Sequence, residues 1–241
     1  MMTARWSTIP RRLRGKLQEQ FASRTSKAVR RDHLTYCSIS KLARLERCVD
    51  QAIKQEVPGA VVEFGVALGG SAILLAKRCN DRPFHGFDVF GMIPAPSSEK
   101  DDKKSKDRYE VIVSGQSTGI GNDTYYGYRR DLFLEVIDAF ARHQCPVDDR
   151  RVFLHKGLFD QTWQQFPATE KVAVAHIDCD WYDPVKFCIA AVLPRLNSGS
   201  ILVFDDYHDY GGARTAVNEL LSEHGNWFTA DTGENAILIR R

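Results

Sequence analysis

No run of eighteen or more apolar residues occurs in the 241-residue chain, so no segment is suited to crossing a membrane as a helix. The basic residues near the start are not followed by the apolar stretch of a secretory leader, and the cytoplasm is the expected compartment. The six cysteines, Cys37, Cys48, Cys79, Cys145, Cys179 and Cys188, form no C-x-x-C pair. Several lie in apolar surroundings, where cysteine is usually a small buried hydrophobe, so neither a zinc site nor a disulfide framework is expected. The one G-x-S-x-G string, Gly115–Gly119, does not follow a predicted strand, so it does not read as a hydrolase nucleophile elbow. The dinucleotide spacing G-x-G-x-x-G and the lysine of a phosphate-binding P-loop are missing.

The chain does contain enough apolar residues, 43%, for one large domain or a domain with an appendage. Its net charge of +2 is unevenly spread. Residues 1–32 carry nine basic and two acidic side chains, so the rest of the chain is net acidic. Such an arm could meet nucleic acid or anionic lipid. With no aromatic interleaving and no nucleic-acid motif, the expected reading is a peripheral solvated arm, or a helix against a partner subunit. Neither a membrane nor a nucleic-acid partner is expected.

Periodicity organises the remainder. Residues 41–56, KLARLERCVDQAIKQE, place Leu42, Leu45, Val49 and Ile53 on one helical face, and Pro58-Gly59 stops the helix. AVVEFGV at 60–66 is nearly all apolar, as in strands buried on both faces of a parallel sheet. Further strands are expected at 85–90, 152–157, 172–178 and 200–207, with helices near 71–79, 184–196 and 213–223. Two short runs around Thr232-Gly233-Glu234-Asn235 predict a terminal antiparallel hairpin. The alternation predicts an open, mostly parallel α/β sheet, whose ligands bind beyond the carboxyl ends of the strands. Residues 91–130 are too long for an ordinary connection and are expected to form a lid or substrate wall, or to be disordered. The charge run at 99–108 reads as a solvated face.

Two groups of residues suggest chemistry. In Glu63-Phe-Gly65-Val66-Ala-Leu-Gly69-Gly70-Ser71, glycines permit a tight turn and close approach of a ligand, and the helix that follows offers unpaired N–H groups. Asp88 ends the second strand, twenty-five residues after Glu63, where an acid can accept hydrogen bonds from a ribose diol. A cofactor with a ribose and no pyrophosphate suits this pair, although a structural turn and a solvated acid would look similar. The second group is acidic. Asp178 ends the fourth strand, Asp180 follows two positions on, and Asp205 and Asp206 end the fifth. If the first, fourth and fifth strands are neighbours, these carboxylates converge, and such crowding is costly unless a cation neutralises it. Asp178, Asp205 and Asp206 are therefore the candidate ligands of Mg²⁺, and Asp180 the candidate base. Trp181 and Tyr182 are candidate walls of the acceptor site, His208 a lesser candidate for acceptor contact, and His176 is expected in the core.

The stretches VVEFGVALGGSA, GFDVFGMIPAP, KGLFDQTW, HIDCDWYDP and LVFDDYHDYGGARTAV, in that order, resemble the macrocin O-methyltransferase family of metal-dependent, sugar-modifying enzymes. The resemblance implies the class I methyltransferase Rossmann-like sheet over residues 59–241, with the insertion at 91–130 and an N-terminal arm and helical region at 1–58. It implies S-adenosylmethionine as cofactor. Glu63 and Gly65 would border its methionine part, with Val66, Gly69 and Ser71 in the same loop. Asp88 would hold the ribose, Leu158 and Phe159 would lie beside the adenine, and Asp178 would complete the pocket. Asp178, Asp205 and Asp206 fall where the family's magnesium ligands fall, and Asp180 where a base has been assigned. A small-molecule acceptor and a homodimer or larger homo-oligomer are implied as well. Two other functions fit the residues: a metal-dependent catechol or phenol O-methyltransferase, and a non-catalytic Rossmann-like binding or scaffold protein.

Overall fold

A computed structural model describes residues 22–79 and 81–241. The part of the expected basic arm at 1–21 lies outside the described residues. Helix α1 (Arg24–Arg31) begins where the Ser23 side chain accepts a hydrogen bond from the Ser26 N–H, and α2 (Ile39–Lys54) where Ser38 does the same for Lys41. Both are serine N-caps satisfying amides that the helix itself leaves unpaired. The predicted stripe of α2 is the buried one, with Leu42, Leu45 and Val49 fully enclosed and Ile53 packed beside them. Residues 24–32 are not peripheral as expected. Val29 is fully buried, and Leu34 accepts a hydrogen bond from the Gly70 N–H at the head of the next helix. The cause is Val29 itself, an apolar residue on an otherwise basic helix that the sheet's own helices can cover.

The chain then alternates β1 (Ala60–Phe64), α3 (Gly70–Arg78), β2 (Phe84–Asp88), α4 (Lys103–Val113), α5 (Leu132–Arg142), β3 (Val152–Lys156), a single turn α6 (Phe159–Thr162), β4 (Val172–Ile177), α7 (Tyr182–Val192), β5 (Leu196–Phe204), α8 (Gly211–His224), β6 (Phe228–Thr232) and β7 (Ala236–Arg240). The seven strands form one sheet in the order β3-β2-β1-β4-β5-β7-β6. The first five are parallel, and β7 runs antiparallel to both β5 and β6. Every residue of β1, β2 and β4 is buried, as expected of largely apolar strands covered on both faces. One face packs on α2, α3 and α5, the other on α7 and α8.

This order makes β1 and β4 the switch point. From β1 the chain winds outward through β2 to β3, then returns to β4 on the other side, leaving a crevice above the strand ends. The insertion at 91–130 covers that crevice. It is not a plain loop: it contains α4 and is tied down by acids, while Glu99, Lys100, Lys103, Lys104, Lys106 and Asp107 of the charge run are exposed as expected. Asp101 accepts the Tyr182 N–H at 2.8 Å, at the start of α7. Asp102 caps α4 through Ser105 and also accepts the Gly211 N–H at 2.9 Å, at the start of α8. Carboxylates at helix N-termini are favoured by the unpaired amides and the helix dipole.

Candidate active site

A cavity of about 700 Å³ opens at the carboxyl ends of β1, β2, β4 and β5. The first wall is the glycine loop. Gly65 has φ +94°, and a Cβ there would lie 1.8 Å from the Asp178 carbonyl oxygen, so only glycine fits. The loop is held from below by Asp88. One oxygen accepts the Val66 and Ala67 N–H groups at 2.7 and 2.9 Å, and the other accepts Phe90 N–H at 2.6 Å. Burial raises the Asp88 pKa, and these three donors offset part of the rise. A carboxylate has about four acceptor positions, so Asp88 reaches the cavity with most of its capacity already spent on the loop.

Under the loop, Glu63 is fully buried and bonded to His176 Nδ1 at 2.7 Å. His176 Nε2 faces Asp205 Oδ1 at 3.8 Å, an ion-pair distance too long for a hydrogen bond. Burial opposes charge on His176, but Asp205 and Glu63 outweigh it and raise the imidazole to about 10. The expected core histidine is therefore an imidazolium linking the glycine loop to the acids.

Asp178, Asp180, Asp205, Asp206 and Asp209 all line the cavity. Burial and then the charges of Asp205 and Asp206 push Asp178 well above the carboxylate range. Burial and then Asp206 do the same to Asp180. Asp206 rises to about 6, through burial and then Asp205. Asp205 alone goes down: burial would raise it, but His176 and Lys41 together hold it ionised. Asp180 occupies a strained turn, with φ +59° and the Trp181 N–H donating to the Cys179 carbonyl at 2.6 Å. Its own N–H donates to Asp206 Oδ2 at 2.9 Å. An aspartate held in left-handed backbone costs energy, and such strain concentrates at functional sites.

These oxygens suit a hard divalent cation. They are crowded, Asp205 and Asp206 are buried, and Asp205 Oδ1 has no hydrogen-bond partner among the described residues. The local positive charges, Lys41, the His176 imidazolium and Arg108, are fewer than the acids around them.

Most of the residues expected at the site meet here. Gly65, Val66, Ser71, Asp88, Leu158, Phe159, Asp178, Asp180, Trp181, Asp205 and Asp206 line one cavity. Glu63 and Gly69 do not line it: Glu63 is buried against His176, and Gly69 faces Val136 and Phe140 of α5. Tyr182 does not line it: its hydroxyl turns to Lys100 and Glu219, because position 182 begins α7 and faces α8. His208 is exposed and bonded to the Thr232 carbonyl, beyond the end of β5. Among the insertion's tyrosines, Tyr125 and Tyr126 line the cavity, whereas the Tyr128 hydroxyl braces Ile112 and Ser117.

Among the lining residues that went unread in the sequence are Lys104, Arg108, Cys37 and Lys41. Lys104 and Arg108 lie one turn apart on α4, hidden inside the charge run; Arg108 stands 5.5 Å from the Tyr125 ring centre. The only sequence signal for them is that i, i+4 spacing. Cys37 comes from the connection between α1 and α2 and Lys41 from α2, and Lys41 Nζ reaches Asp205 Oδ2 at 2.7 Å and Asp209 at 3.0 Å.

Comparison with known proteins agrees with this geometry. The chain is 30% identical over 196 residues to mycinamicin III 3''-O-methyltransferase of Micromonospora griseorubida, covering 79% of this chain and 71% of that protein. It is 28% identical over 201 residues to 8-demethyl-8-(2,3-dimethoxy-alpha-L-rhamnosyl)-tetracenomycin-C 4'-O-methyltransferase of Streptomyces olivaceus, covering 78% and 71%. Its fold matches the solved structure of the O-methyltransferase NovP with a TM-score of 0.69, at 23% identity, over 86% of this chain and 82% of the other. The profile of the macrocin-O-methyltransferase (TylF) family matches residues 12–227, and the chain belongs to that family of O-methyltransferases.

Proposed function

We propose that this enzyme transfers a methyl group from S-adenosylmethionine to a hydroxyl of a small molecule, a sugar of a natural product, with a divalent cation such as Mg²⁺ at the acidic centre. The observation that carries this reading is the meeting of two features in one cavity: a glycine cradle braced by Asp88, and a crowded set of aspartates with an unpaired buried oxygen.

S-adenosylmethionine supplies an electrophilic methyl sulfonium, and a bound cation lowers the pKa of a hydroxyl and fixes its direction. Asp178, Asp205 and Asp206 would hold the cation. The loop from Gly65 to Ser71, with Leu158 and Phe159, would hold the cofactor. Asp180 takes the proton from the acceptor hydroxyl: its strained turn keeps it on the cavity wall among the other carboxylates. Trp181, Tyr125 and Tyr126 give aromatic faces to the acceptor side, and the Trp181 indole N–H is anchored on the Pro94 carbonyl at 2.9 Å, which fixes that wall. Holding acceptor and donor in line supplies much of the remaining rate. The sugar assignment draws on the relatives, one of which is named for a rhamnosyl tetracenomycin. The family resemblance extends the reading to a homodimer or larger homo-oligomer acting in the cytoplasm.

The test is an acceptor panel. Purified enzyme with S-adenosylmethionine and Mg²⁺ is offered deoxysugar glycosides and catechols, and S-adenosylhomocysteine is quantified by mass spectrometry. Glycosides are expected to turn over. Turnover confined to catechols overturns the sugar assignment, and failure to bind S-adenosylmethionine overturns the whole reading.

A further inference from the structure

Cys37 lies in the connection between α1 and α2, only 5% exposed and on the wall of the cavity. Its backbone is clamped on both sides: its N–H donates to Thr35 Oγ1 at 3.1 Å, and its carbonyl accepts from Arg30. One ligand atom each from Cys37, Asp178 and Asp205 lies within 4.8 Å of the others. Around a tetrahedral zinc ion, a sulfur at about 2.3 Å and an oxygen at about 2.1 Å stand about 3.6 Å apart, so side-chain shifts of up to about 1 Å bring all three onto one cation. A second observation is independent of the thiol. Asp205 is 5% exposed, its Oδ2 is held by Lys41, and its Oδ1 has no partner among the described residues.

We propose that Cys37 is a protein ligand at the acidic centre, together with Asp178 and Asp205, and that the centre consequently takes thiophilic divalent cations such as Co²⁺, Zn²⁺ and Cd²⁺ through a sulfur bond. This rests on the reading that the carboxylates hold a divalent cation, and adds a soft donor to that set. Magnesium gains little from sulfur, whereas cobalt, zinc and cadmium gain substantially. As the sulfur–metal bond forms, the thiol proton passes to solvent. Cys37 with Asp178, Asp205 and Asp206 makes four protein ligands, which leaves about two positions of an octahedral cation open for water or an acceptor hydroxyl. The other thiol on the cavity wall, Cys179, follows Asp178 directly and packs beside Cys188 in the core against α7. It is the natural control.

The experiment uses the full chain, stripped with chelator and loaded with S-adenosylhomocysteine. Co²⁺ is titrated while near-ultraviolet absorption reports sulfur-to-cobalt charge transfer and calorimetry reports stoichiometry. The wild type is expected to bind one Co²⁺ with the charge-transfer band. C37S and C37A, each first shown to melt cooperatively, are expected to bind Co²⁺ without the band, and C179S to keep it. Cd²⁺ affinity is expected to fall at least about tenfold in C37S, with Mg²⁺ affinity changed less than about threefold. Cobalt bound without the band in the wild type, or a band lost in C179S and kept in C37S, overturns the assignment of Cys37 and leaves the carboxylate reading standing. Absence of any Co²⁺ or Mg²⁺ binding overturns both.

Discussion

Asp180 carries the chemical step of the proposed mechanism, and its surroundings define a sharp variant. Its backbone N–H, not its carboxylate, makes the hydrogen bond to Asp206, so Asp180→Asn leaves that contact in place. The variant is expected to bind S-adenosylhomocysteine and Mg²⁺ as the wild type does and to lose about 10²–10⁴-fold in turnover; near-normal turnover with a competent acceptor removes Asp180 from the mechanism. Gly65→Ala tests the cradle. Its Cβ meets the Asp178 carbonyl at 1.8 Å in left-handed backbone, so the variant is expected to lose S-adenosylhomocysteine binding by calorimetry and to melt at lower temperature. At this scale the acids were legible because strands end in Asp178 and in Asp205-Asp206, and parallel strands deliver such ends to one edge. Lys41 was not legible. Its partner lies 164 residues away, and nothing in a helix reading separates a lysine that meets a carboxylate from one that meets water.

Single elements explain the fold's acid sensitivity. On the face where β2 meets β3, His85 Nδ1 and His155 Nε2 are 3.0 Å apart, and His85 stacks on Phe153. That hydrogen bond needs one of the two facing nitrogens to accept, so it is lost when both carry a proton, and burial disfavours charge on either ring. Burial, then the neighbouring His155, lowers His85 to about 3 from its ordinary value of 6.5. The sign follows: the unfolded chain takes up the proton first, so the stabilisation is fully present above 6.5 and is lost as pH falls from 6.5 toward 3. The urea midpoint of the wild type is expected to fall over that window, and His85→Phe to flatten the fall; parallel curves for the two proteins contradict the assignment. The strands were legible because β1 and β4 are almost uninterrupted apolar runs, and the α2 stripe because its period is helical. The helices α1 and α4 were hidden by their charge. What places them is tertiary: Val29 enters the common core, and Asp101 and Asp102 bind the first turns of α7 and α8. Neither partner is near in sequence.

For the molecule as a whole, the topology sets the chemistry. With β1 between β2 and β4, the glycine loop and its Asp88 brace stand beside the aspartates closing β4 and β5. The N-terminal helices and the insertion then supply walls from opposite ends of the first half of the chain, through Cys37 and Lys41 on one side and Lys104, Arg108 and Tyr125 on the other. The sheet order follows from the alternation of strands and helices, while the lining contributed by these two covers does not, since no periodicity records which exposed-looking side chain a neighbouring element will enclose.

The central claim is that the aspartates converge because a divalent cation belongs among them. The most direct measurement is calorimetric titration of Mg²⁺ into chelator-stripped, S-adenosylhomocysteine-loaded enzyme, repeated with Asp178→Asn and Asp205→Asn. One binding event in the wild type, lost or strongly weakened in both variants, is the expected result; no binding in the wild type, or the same affinity in all three proteins, contradicts it.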